Sequence, residues 1–337
     1  MKKTIPALLF FCTILFLSAQ IPTLSGCAPK KPATISDSGF YFDTVIGITL
    51  YDSSKQYALS HCMEMAQTFE SYFSNTLPDS DVSKINAHPL EPIEVHPETA
   101  ELIQKGLSYG EKSGGRFDIT IGKLSALWAF EKQTVPKTKE IKKAAKHVDY
   151  KNVVADGNTV TLNDPHAALD LGGIAKGYIA DKMKEYLENE GITSGLINLG
   201  GNVLTLGQKP DHTDYTIGIQ KPFSDDGTPI VSVDVEDESV VTSGVYQRYF
   251  EADGVLYHHI IDPHTGYPCD NGLHSVTILS QSSADGDALS TMVFLMGLED
   301  GMSYVEADPS IEAIFITEDN ALHYSSGFSS KYPYKEY

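Results

Sequence analysis

Hydrophobic and polar residues alternate along this chain in two periods, one helical and one typical of strands. Apolar residues recur every three or four positions over residues 53–73, 97–112, 175–188 and 284–298, which predicts four helices. Short apolar stretches bounded by Gly, Asp and Asn lie between them and predict strands joined by tight turns. Because several of these strands follow one another directly, the pattern predicts an α+β fold with mixed sheets and flanking helices.

A hydrophobic segment near the start of the chain has the features of a secretory signal. Two lysines precede an apolar run over residues 5–17, and Leu24-Ser-Gly-Cys27 follows it. The run is short for a membrane span, which needs about 20 residues. The cysteine after small residues resembles the bacterial lipoprotein box, with an ordinary signal peptide or a helical anchor as the alternatives. We therefore expect residues 1–26 to be a lipoprotein signal peptide and Cys27 to be lipidated, which would anchor an extracytoplasmic protein to the cell membrane.

The residues that follow indicate the domain organisation. Residues 27–38 comprise the cysteine and a segment with Pro, Lys and Ser but no periodicity, which is typical of a tether. One folded domain is expected over residues 39–337, with a possible subdomain boundary near residues 163–166. Cys62 and Cys269 would remain in this domain, and the sequence does not decide whether they pair.

The formal net charge of the chain is −20 at pH 7. Nucleic acids are bound by basic surfaces, so this charge excludes a nucleic-acid partner. An anionic ligand would need a local cation, which could be a metal ion or a group of Lys and Arg side chains. Several motifs could supply such a site.

The first motif is a glycine turn in Leu169-Asp-Leu-Gly-Gly-Ile-Ala-Lys176. Residues 167–171 are predicted to form a short buried strand, followed by a turn at Gly172-Gly173 and a helix. The N–H groups at the start of a helix suit a phosphate, and Lys176 adds a positive charge. The motif is neither the dinucleotide fingerprint nor a P-loop, so a closely packed connection between strand and helix remains the alternative.

The second motif, Ala284-Asp-Gly-Asp-Ala-Leu-Ser-Thr291, opens a predicted helix. Asp287 and Thr291 are four residues apart, so they lie on one face of that helix. A carboxylate and a hydroxyl without His or Cys suit Mg²⁺, which binds one or two carboxylates and leaves positions for phosphate oxygens. Asp285 is either a further ligand or a cap, since acidic residues at a helix start commonly cap it.

The third motif combines Thr242-Ser-Gly-Val-Tyr-Gln-Arg248 with Tyr257-His-His-Ile-Ile-Asp262. In a strand His258 and His259 point to opposite faces, so at most one of them faces a given site. A histidine beside a metal-bound phosphate could act as a general base. The alternative is a histidine pair in a partly exposed hairpin, and Ser243 either hydrogen-bonds a ligand or shapes a turn.

A further segment, Arg116-Phe-Asp118, follows Gly114-Gly115. Its aromatic ring and its charges could contact a planar ligand. Alternatively, Phe117 packs in the core and Asp118 caps nearby backbone. The residues by themselves favour neither interpretation.

Together and in this order, these segments resemble the FAD:protein FMN transferase family, also known as ApbE. The similarity extends from about residue 40 to the last predicted strands, and eight ordered blocks are more specific than any single one. The blocks are Asp43-Thr44, Gly115-x-Phe-Asp-Ile-Thr-x-Gly122, Leu169-Asp-Leu-Gly-Gly-Ile-Ala-Lys-Gly177, Ile197-Asn-Leu-Gly-Gly-Asn202, Thr242-Ser-Gly-x-Tyr-x-Arg248, His259-Ile-Ile-Asp-Pro-x-Thr-Gly266, Ser275-Val-Thr277 and Asp287-Ala-Leu-Ser-Thr291.

The resemblance implies the fold of that family, in two interleaved subdomains, and a transferase activity. Such an enzyme uses Mg²⁺, with Mn²⁺ as an alternative, to cleave the pyrophosphate of its substrate FAD. It attaches FMN through a phosphoester bond to a Ser or Thr of an extracytoplasmic flavoprotein and releases AMP. A Mg²⁺-dependent FAD pyrophosphatase that yields FMN and AMP is one alternative, and a non-catalytic flavin-binding lipoprotein is another.

The resemblance also implies roles for individual residues. His259 would be the catalytic base that takes the proton from the acceptor hydroxyl. The metal ligands would be Asp287, Thr291 and a backbone carbonyl of Gly173, with Asp285 as a possible further ligand. Contacts with FAD would come from Asp43, Thr44, Thr76, Arg116, Phe117, Asp118, Asp170, Lys176, Ser243 and Ile260.

Overall fold

The computed structural model describes residues 33–224 and 227–337 of the chain. The predicted signal peptide and the lipidation site at Cys27 lie outside these residues. Within them, no helix has the length and apolar character needed to cross a membrane. The first strand begins at Ile35, so residues 35–38, which the sequence assigned to the tether, belong to a sheet. The subdomain boundary near residues 163–166 stays a prediction.

The described residues form eight α-helices and sixteen strands, and the helix Pro97–Lys112 has both of its predicted bounds. The helices are α1 (Gln56–Phe73), α2 (Asp81–Ala87), α3 (Pro97–Lys112), α4 (Gly122–Leu127), α5 (Thr138–Ala145), α6 (Ala175–Asn189), α7 (Ser283–Glu306) and α8 (Phe328–Lys331). The strands are β1 (Ile35–Tyr41), β2 (Thr44–Leu50), β3 (Ile93–Glu94), β4 (Val153–Asp156), β5 (Thr159–Leu162), β6 (Gly195–Leu199), β7 (Asn202–Leu206), β8 (Tyr215–Gln220), β9 (Pro229–Val235), β10 (Ser239–Gly244), β11 (Tyr249–Ala252), β12 (Val255–His258), β13 (Leu273–Ser280), β14 (Glu312–Thr317), β15 (Leu322–Tyr324) and β16 (Tyr334–Glu336).

A central sheet organises the described part of the chain, in the strand order β1-β2-β6-β7-β10-β13-β14-β15. Each neighbouring pair is antiparallel. Alternate residues of β14 enter two different cores. Ala313 and Phe315 pack with residues of α1, α6 and α7, whereas Ile314 and Ile316 pack with residues of β8 and β9. The predicted α+β class is confirmed.

Helix α7 carries two of the predicted metal ligands and is buried over its first turns. It packs against α6 and against strands β10 and β13, which covers Ala288, Met292 and Phe294 completely. Gly297 interrupts the helix with a φ of 83°. This break lies one residue before the predicted end of the helix at residue 298, and the helix then continues to Glu306.

The β11–β12 hairpin, which leads to the two histidines, is held by a small core of its own. Phe250 of β11 and Ile261 pack with Trp128, which follows α4 and is fully buried. The indole N–H of Trp128 donates a hydrogen bond of 2.9 Å to the carbonyl of Gly266. The position of the histidine pair therefore depends on packing that lies outside the central sheet.

The predicted strand over residues 167–171 is wrong. Apart from a bridge between Ala168 and Ile121, the segment pairs with no strand. The Asn86 side chain takes the place of a partner strand, because its oxygen accepts a 2.6 Å bond from the N–H of Leu169 and its amide donates a 2.9 Å bond to the Leu169 carbonyl. An apolar run satisfied in this way has the same sequence pattern as a buried strand.

Two phenylalanines, one buried in α7 and one exposed in β1, allow a matched test of the packing of α7. Phe294→Ala removes a fully buried ring and should lower the free energy of unfolding by about 3–5 kcal/mol. Phe40 is 68% exposed, so Phe40→Ala should change it by less than about 0.5 kcal/mol. Urea unfolding followed by circular dichroism measures both values. Similar losses in the two variants would contradict the packing of α7 described above.

Candidate active site

The first turns of helices α6 and α7 meet at a buried carboxylate. Asp287 of α7 is 4% exposed. Its Oδ2 atom accepts a hydrogen bond of 2.9 Å from the backbone N–H of Gly177 in α6. Burying a carboxylate is costly unless hydrogen bonds and a nearby positive charge compensate it. The Gly177 N–H is one of these compensating groups and ties Asp287 to α6.

Gly177 permits this contact because it has no side chain. A Cβ atom at this position would lie 2.1 Å from the carbonyl oxygen of Ser283 and 2.7 Å from the Cα of Ala284. Any other residue would therefore push α7 away from α6. This glycine serves the close packing that the sequence left open as an alternative to phosphate binding.

Lys176 supplies the positive charge beside Asp287. Its Nζ atom lies 3.5 Å from Asp287 Oδ1 and donates a hydrogen bond of 3.2 Å to the carbonyl of Gly172. The ammonium group thus connects the buried carboxylate to the glycine turn. It is a local cation of the kind that an anionic ligand needs in this acidic protein.

Hydroxyl groups complete the surroundings of Asp287. Thr291 follows it by one helical turn, and Thr291 Oγ1 lies 3.0 Å from the Oγ of Ser243 on β10. The Ser243 hydroxyl also lies 2.8 Å from Ser290 Oγ. Helix α7 therefore presents a carboxylate and a hydroxyl next to each other, with a third oxygen facing them from the sheet.

This donor set fits a hard divalent cation such as Mg²⁺ or Mn²⁺. It consists of carboxylate and hydroxyl oxygens. The glycine turn is close to it, because Lys176 contacts both Asp287 and the Gly172 carbonyl. In the described ranges, no group of three or more His, Cys, Asp and Glu side chains could hold a metal ion. A cation here would therefore depend on backbone carbonyls and ligand oxygens for the rest of its coordination.

Asp285 does not join this donor set. Its Oδ1 accepts a hydrogen bond of 2.8 Å from the Tyr109 hydroxyl and also pairs with the ammonium group of Lys105, both on α3. The carboxylate is thus engaged with another helix. Its contacts therefore favour a role in holding α7 against α3 over the possible role of a further metal ligand.

His259 carries an unpaired ring nitrogen. Its backbone N–H donates to the Arg248 carbonyl at 3.1 Å, whereas its Nδ1 atom is buried and has no hydrogen-bond partner in the described residues. Burial, followed by the charges of His258, Lys176 and Arg248, lowers the pKa of His259 to about 3. The imidazole is therefore neutral and keeps a lone pair available to accept a proton.

His258 has the opposite surroundings. It is buried, its Nε2 donates to the Cys269 carbonyl at 3.0 Å, and its Nδ1 accepts from the N–H of Ile260 at 3.3 Å. Burial lowers the pKa of His258 to about 4. Both ring nitrogens are used within the fold, so of the two histidines only His259 has a nitrogen left for chemistry.

Comparison with known proteins shows the family. The model that describes the ApbE family matches residues 42–315. The chain belongs to the ApbE family. The FAD:protein FMN transferase of Klebsiella pneumoniae (strain 342) is 38% identical over 86% of this chain and 92% of its own length. That of Treponema pallidum (strain Nichols) is 36% identical and covers 80% of each chain.

Solved structures of ApbE proteins have the same fold. The ApbE protein of Thermotoga maritima matches with a TM-score of 0.82 and 34% identity, over 88% of this chain and 99% of its own. The flavin transferase ApbE of Vibrio cholerae matches with a TM-score of 0.79 and 29% identity, at the same coverage. The predicted ApbE-like fold is confirmed.

Two of the FAD contacts expected for an ApbE protein are used inside the fold. Phe117 is 6% exposed, and its ring lies against the glycine turn, 3.1 Å from the place of a Cβ on Gly173. Asp118 Oδ1 accepts hydrogen bonds from the N–H and the hydroxyl of Thr120, and Oδ2 accepts one from the N–H of Tyr150. These are the core and capping positions that the sequence left open.

Asp170 and Arg116 stabilise segments on either side of the turn. Asp170 Oδ1 accepts a 2.9 Å bond from the N–H of Gly172, and its Oδ2 accepts a 2.8 Å bond from the Ser125 hydroxyl. The guanidinium group of Arg116 donates to the carbonyl of Leu295 in α7 at 3.2 Å. Asp170 therefore stabilises the glycine turn, and Arg116 holds α7 by its backbone.

The β1–β2 hairpin brings Asp43 close to Arg248 and Thr44 close to Gly200. An Asp43 carboxylate oxygen lies 3.9 Å from the Arg248 guanidinium group. Phe42 and Asp43 have φ values of 53° and 56°, which non-glycine residues rarely adopt and which match a tight hairpin turn. Thr44 packs so closely on Gly200 that a Cβ there would lie 2.3 Å from the threonine hydroxyl.

The other three expected FAD contacts lie in different parts of the structure. The hydroxyl of Ser243 contacts that of Thr291, and Ile260 is buried directly after His259. Thr76 lies in the loop after α1, where it hydrogen-bonds Ser74. Contacts join Lys176 to Asp287 and Ser243 to Thr291, and the charge of Lys176 acts on the pKa of His259.

The motifs of the sequence assigned no role to Asp181, which lies five residues after Lys176. The structure shows its carboxylate at the start of α7, bound to the N–H groups of Ser283 and Ala284. The signal was present in the spacing, because Asp181 follows Gly177 by four residues and so shares its helix face.

Acid should destabilise the protein through His258. Its pKa of about 4 in the folded chain is below the ordinary 6.5, so the unfolded chain binds the proton first and stability falls as the pH drops. From about pH 7.5 to about pH 5 this residue alone should cost about 2 kcal/mol. Urea unfolding at both pH values should show a loss smaller by that amount in His258→Gln. Equal losses in both proteins would contradict the assignment.

Proposed function

We propose that this chain is a FAD:protein FMN transferase that requires Mg²⁺, with Mn²⁺ as a substitute. The observation that carries the proposal is the neutral His259, whose Nδ1 is unpaired. The charge of Lys176, which lies beside the buried Asp287, contributes to the low pKa that burial gives this histidine. The activity named for relatives that are 38% and 36% identical supports it.

Asp287, Thr291 and the Gly173 carbonyl would hold the cation. When bound, the cation neutralises charge on the pyrophosphate oxygens, which is the main requirement of phosphoryl transfer. Lys176 contributes a second positive charge that it now shares with Asp287. Asp285 is left out of the site because Lys105 and Tyr109 already engage it.

His259 receives the proton of the acceptor hydroxyl. As the hydroxyl oxygen forms its bond to the phosphorus of the FMN half, the bond from that phosphorus to the bridging oxygen breaks, and AMP leaves with the bridging oxygen. Burial is the main cause of the low pKa of His259, and the positive charges of Lys176 and Arg248 lower it further. Phosphate groups offset these charges and raise the pKa towards the range in which a general base is effective.

The acceptor is a Ser or Thr side chain of a flavoprotein outside the cytoplasmic membrane. The proposed location rests on the lipoprotein-type segment that ends at Cys27, and metabolic labelling with a fatty acid tests it. Water in place of the hydroxyl would give FMN and AMP, the products of an FAD pyrophosphatase.

The function is tested by His259→Ala in the chain from residue 28, incubated with FAD, Mg²⁺ and a candidate acceptor flavoprotein. The variant should transfer FMN about 100- to 10,000-fold more slowly, because it lacks the general base. Intact-mass spectrometry measures FMN on the acceptor, and chromatography measures free FMN and AMP. His264→Ala is the matched control, since this histidine is on an exposed turn and should leave the rate unchanged.

The products separate the alternatives. FMN on the acceptor, lost in His259→Ala, supports the transferase. Free FMN and AMP at equal rates with and without any acceptor would favour the pyrophosphatase. FAD that is bound but unchanged would favour a flavin-binding protein without catalysis.

The cation site is tested by two neighbouring Asp→Asn variants. Asp287→Asn should lower the transfer rate by more than about 100-fold, because the carboxylate of the site is lost. In Asp285→Asn the amide oxygen can still accept from Tyr109, which keeps α7 against α3, so the Mg²⁺ concentration for half-maximal activity should be unchanged. Mg²⁺ titrations of the rate measure both. A raised Mg²⁺ requirement in Asp285→Asn would return Asp285 to the site.

A further inference from the structure

The start of helix α7 is capped by a carboxylate from another helix. Asp181 Oδ1 accepts a 2.7 Å bond from the N–H of Ser283, and its Oδ2 accepts bonds from the N–H of Ala284 (3.0 Å) and the hydroxyl of Ser282 (2.9 Å). The Ser282 oxygen in turn accepts from the N–H of Asp285 at 3.2 Å. These N–H groups have no partner within the helix itself, and a negative charge here also suits the helix dipole.

Asp181 lies on α6, one turn after Gly177. Residues four apart share a face of a helix, so both of them face α7. Gly177 holds Asp287 by its N–H, and Asp181 holds the residues with which α7 begins. Contacts at two successive turns fix both the distance and the direction of α7 relative to α6.

We propose that Asp181 is a positioning residue for the cation site. It acts through α7, whose first turn it fixes, and so determines where Asp287 and Thr291 place their oxygens relative to the glycine turn of α6. Mg²⁺ demands near-octahedral geometry with oxygens at about 2.0–2.1 Å, so a small shift of α7 changes the site. This inference rests on the proposed function, because the cation site is part of it.

A cap can also serve stability alone, and a buried aspartate of another helix, Asp81, provides the comparison. Asp81 of α2 caps the start of α3, where it accepts bonds from the N–H of His96 (2.9 Å), the ring of His96 (2.8 Å) and the hydroxyl of Thr99 (2.7 Å). Like Asp181, it has three donors from the start of another helix. None of these donors belongs to the cation site.

The test compares Asp181→Asn with Asp81→Asn. Thermal unfolding of the metal-free proteins should show a lower Tm for both, because each loses a charged cap. Titration with Mn²⁺, followed by the electron paramagnetic resonance signal of free Mn²⁺, should separate them. Asp181→Asn should bind Mn²⁺ about 10- to 100-fold more weakly than the wild type, and Asp81→Asn should stay within about a factor of two.

Wild-type affinity for Mn²⁺ in Asp181→Asn would overturn the inference and leave Asp181 as a stability cap. An equal loss of affinity in Asp81→Asn would overturn it too, since the effect would then follow stability. If Asp181→Asn does not fold, Ser282→Ala decides, because it removes one of the three donors. A weaker affinity in Ser282→Ala supports the inference and an unchanged one overturns it. Failure of the wild type to bind Mn²⁺ would instead overturn the proposed cation site.

Discussion

The hydrogen bond from the Gly177 N–H to Asp287 is the interaction on which the site depends. It places a carboxylate in the interior, where that group is stable only with close partners. The requirement explains several features together: the absent side chain at residue 177, the ammonium group of Lys176, and the contact of Thr291 with the sheet. Gly177 lets the helices approach, Lys176 compensates the charge, and Thr291 holds α7 against β10.

The groups around Asp287 would divide the tasks of the proposed phosphate site among residues of different types. Glycines give the backbone access, hydroxyls and Asp287 give oxygen donors, and Lys176 gives charge. The histidine pair shows the same division within two adjacent residues. His258 has both nitrogens bonded inside the fold, whereas His259 keeps one free. Adjacent residues near the end of a strand can differ in this way because their side chains leave on opposite sides.

Much of this could be predicted from the sequence, because helical periodicity and capping residues are local signals. Helix α3 begins and ends at the residues predicted, with a proline at its start. The order of the motif blocks identified the family. The strand predicted at residues 167–171 and the ligand role considered for Asp285 depend on partners that are distant in the sequence. Asn86 replaces a strand beside Leu169, and Lys105 draws Asp285 away from the site. Asn86 is far from Leu169 in the sequence and Lys105 is far from Asp285, so no local pattern predicts either contact.

The contact between Lys176 and Asp287 has a consequence for how the protein is made. Many metal sites gather several anionic side chains that repel one another until the ion arrives, so their folding waits for the metal. In this chain the ammonium group already balances Asp287. The chain itself therefore compensates this carboxylate, and the burial of Asp287 does not require a divalent cation to be bound first.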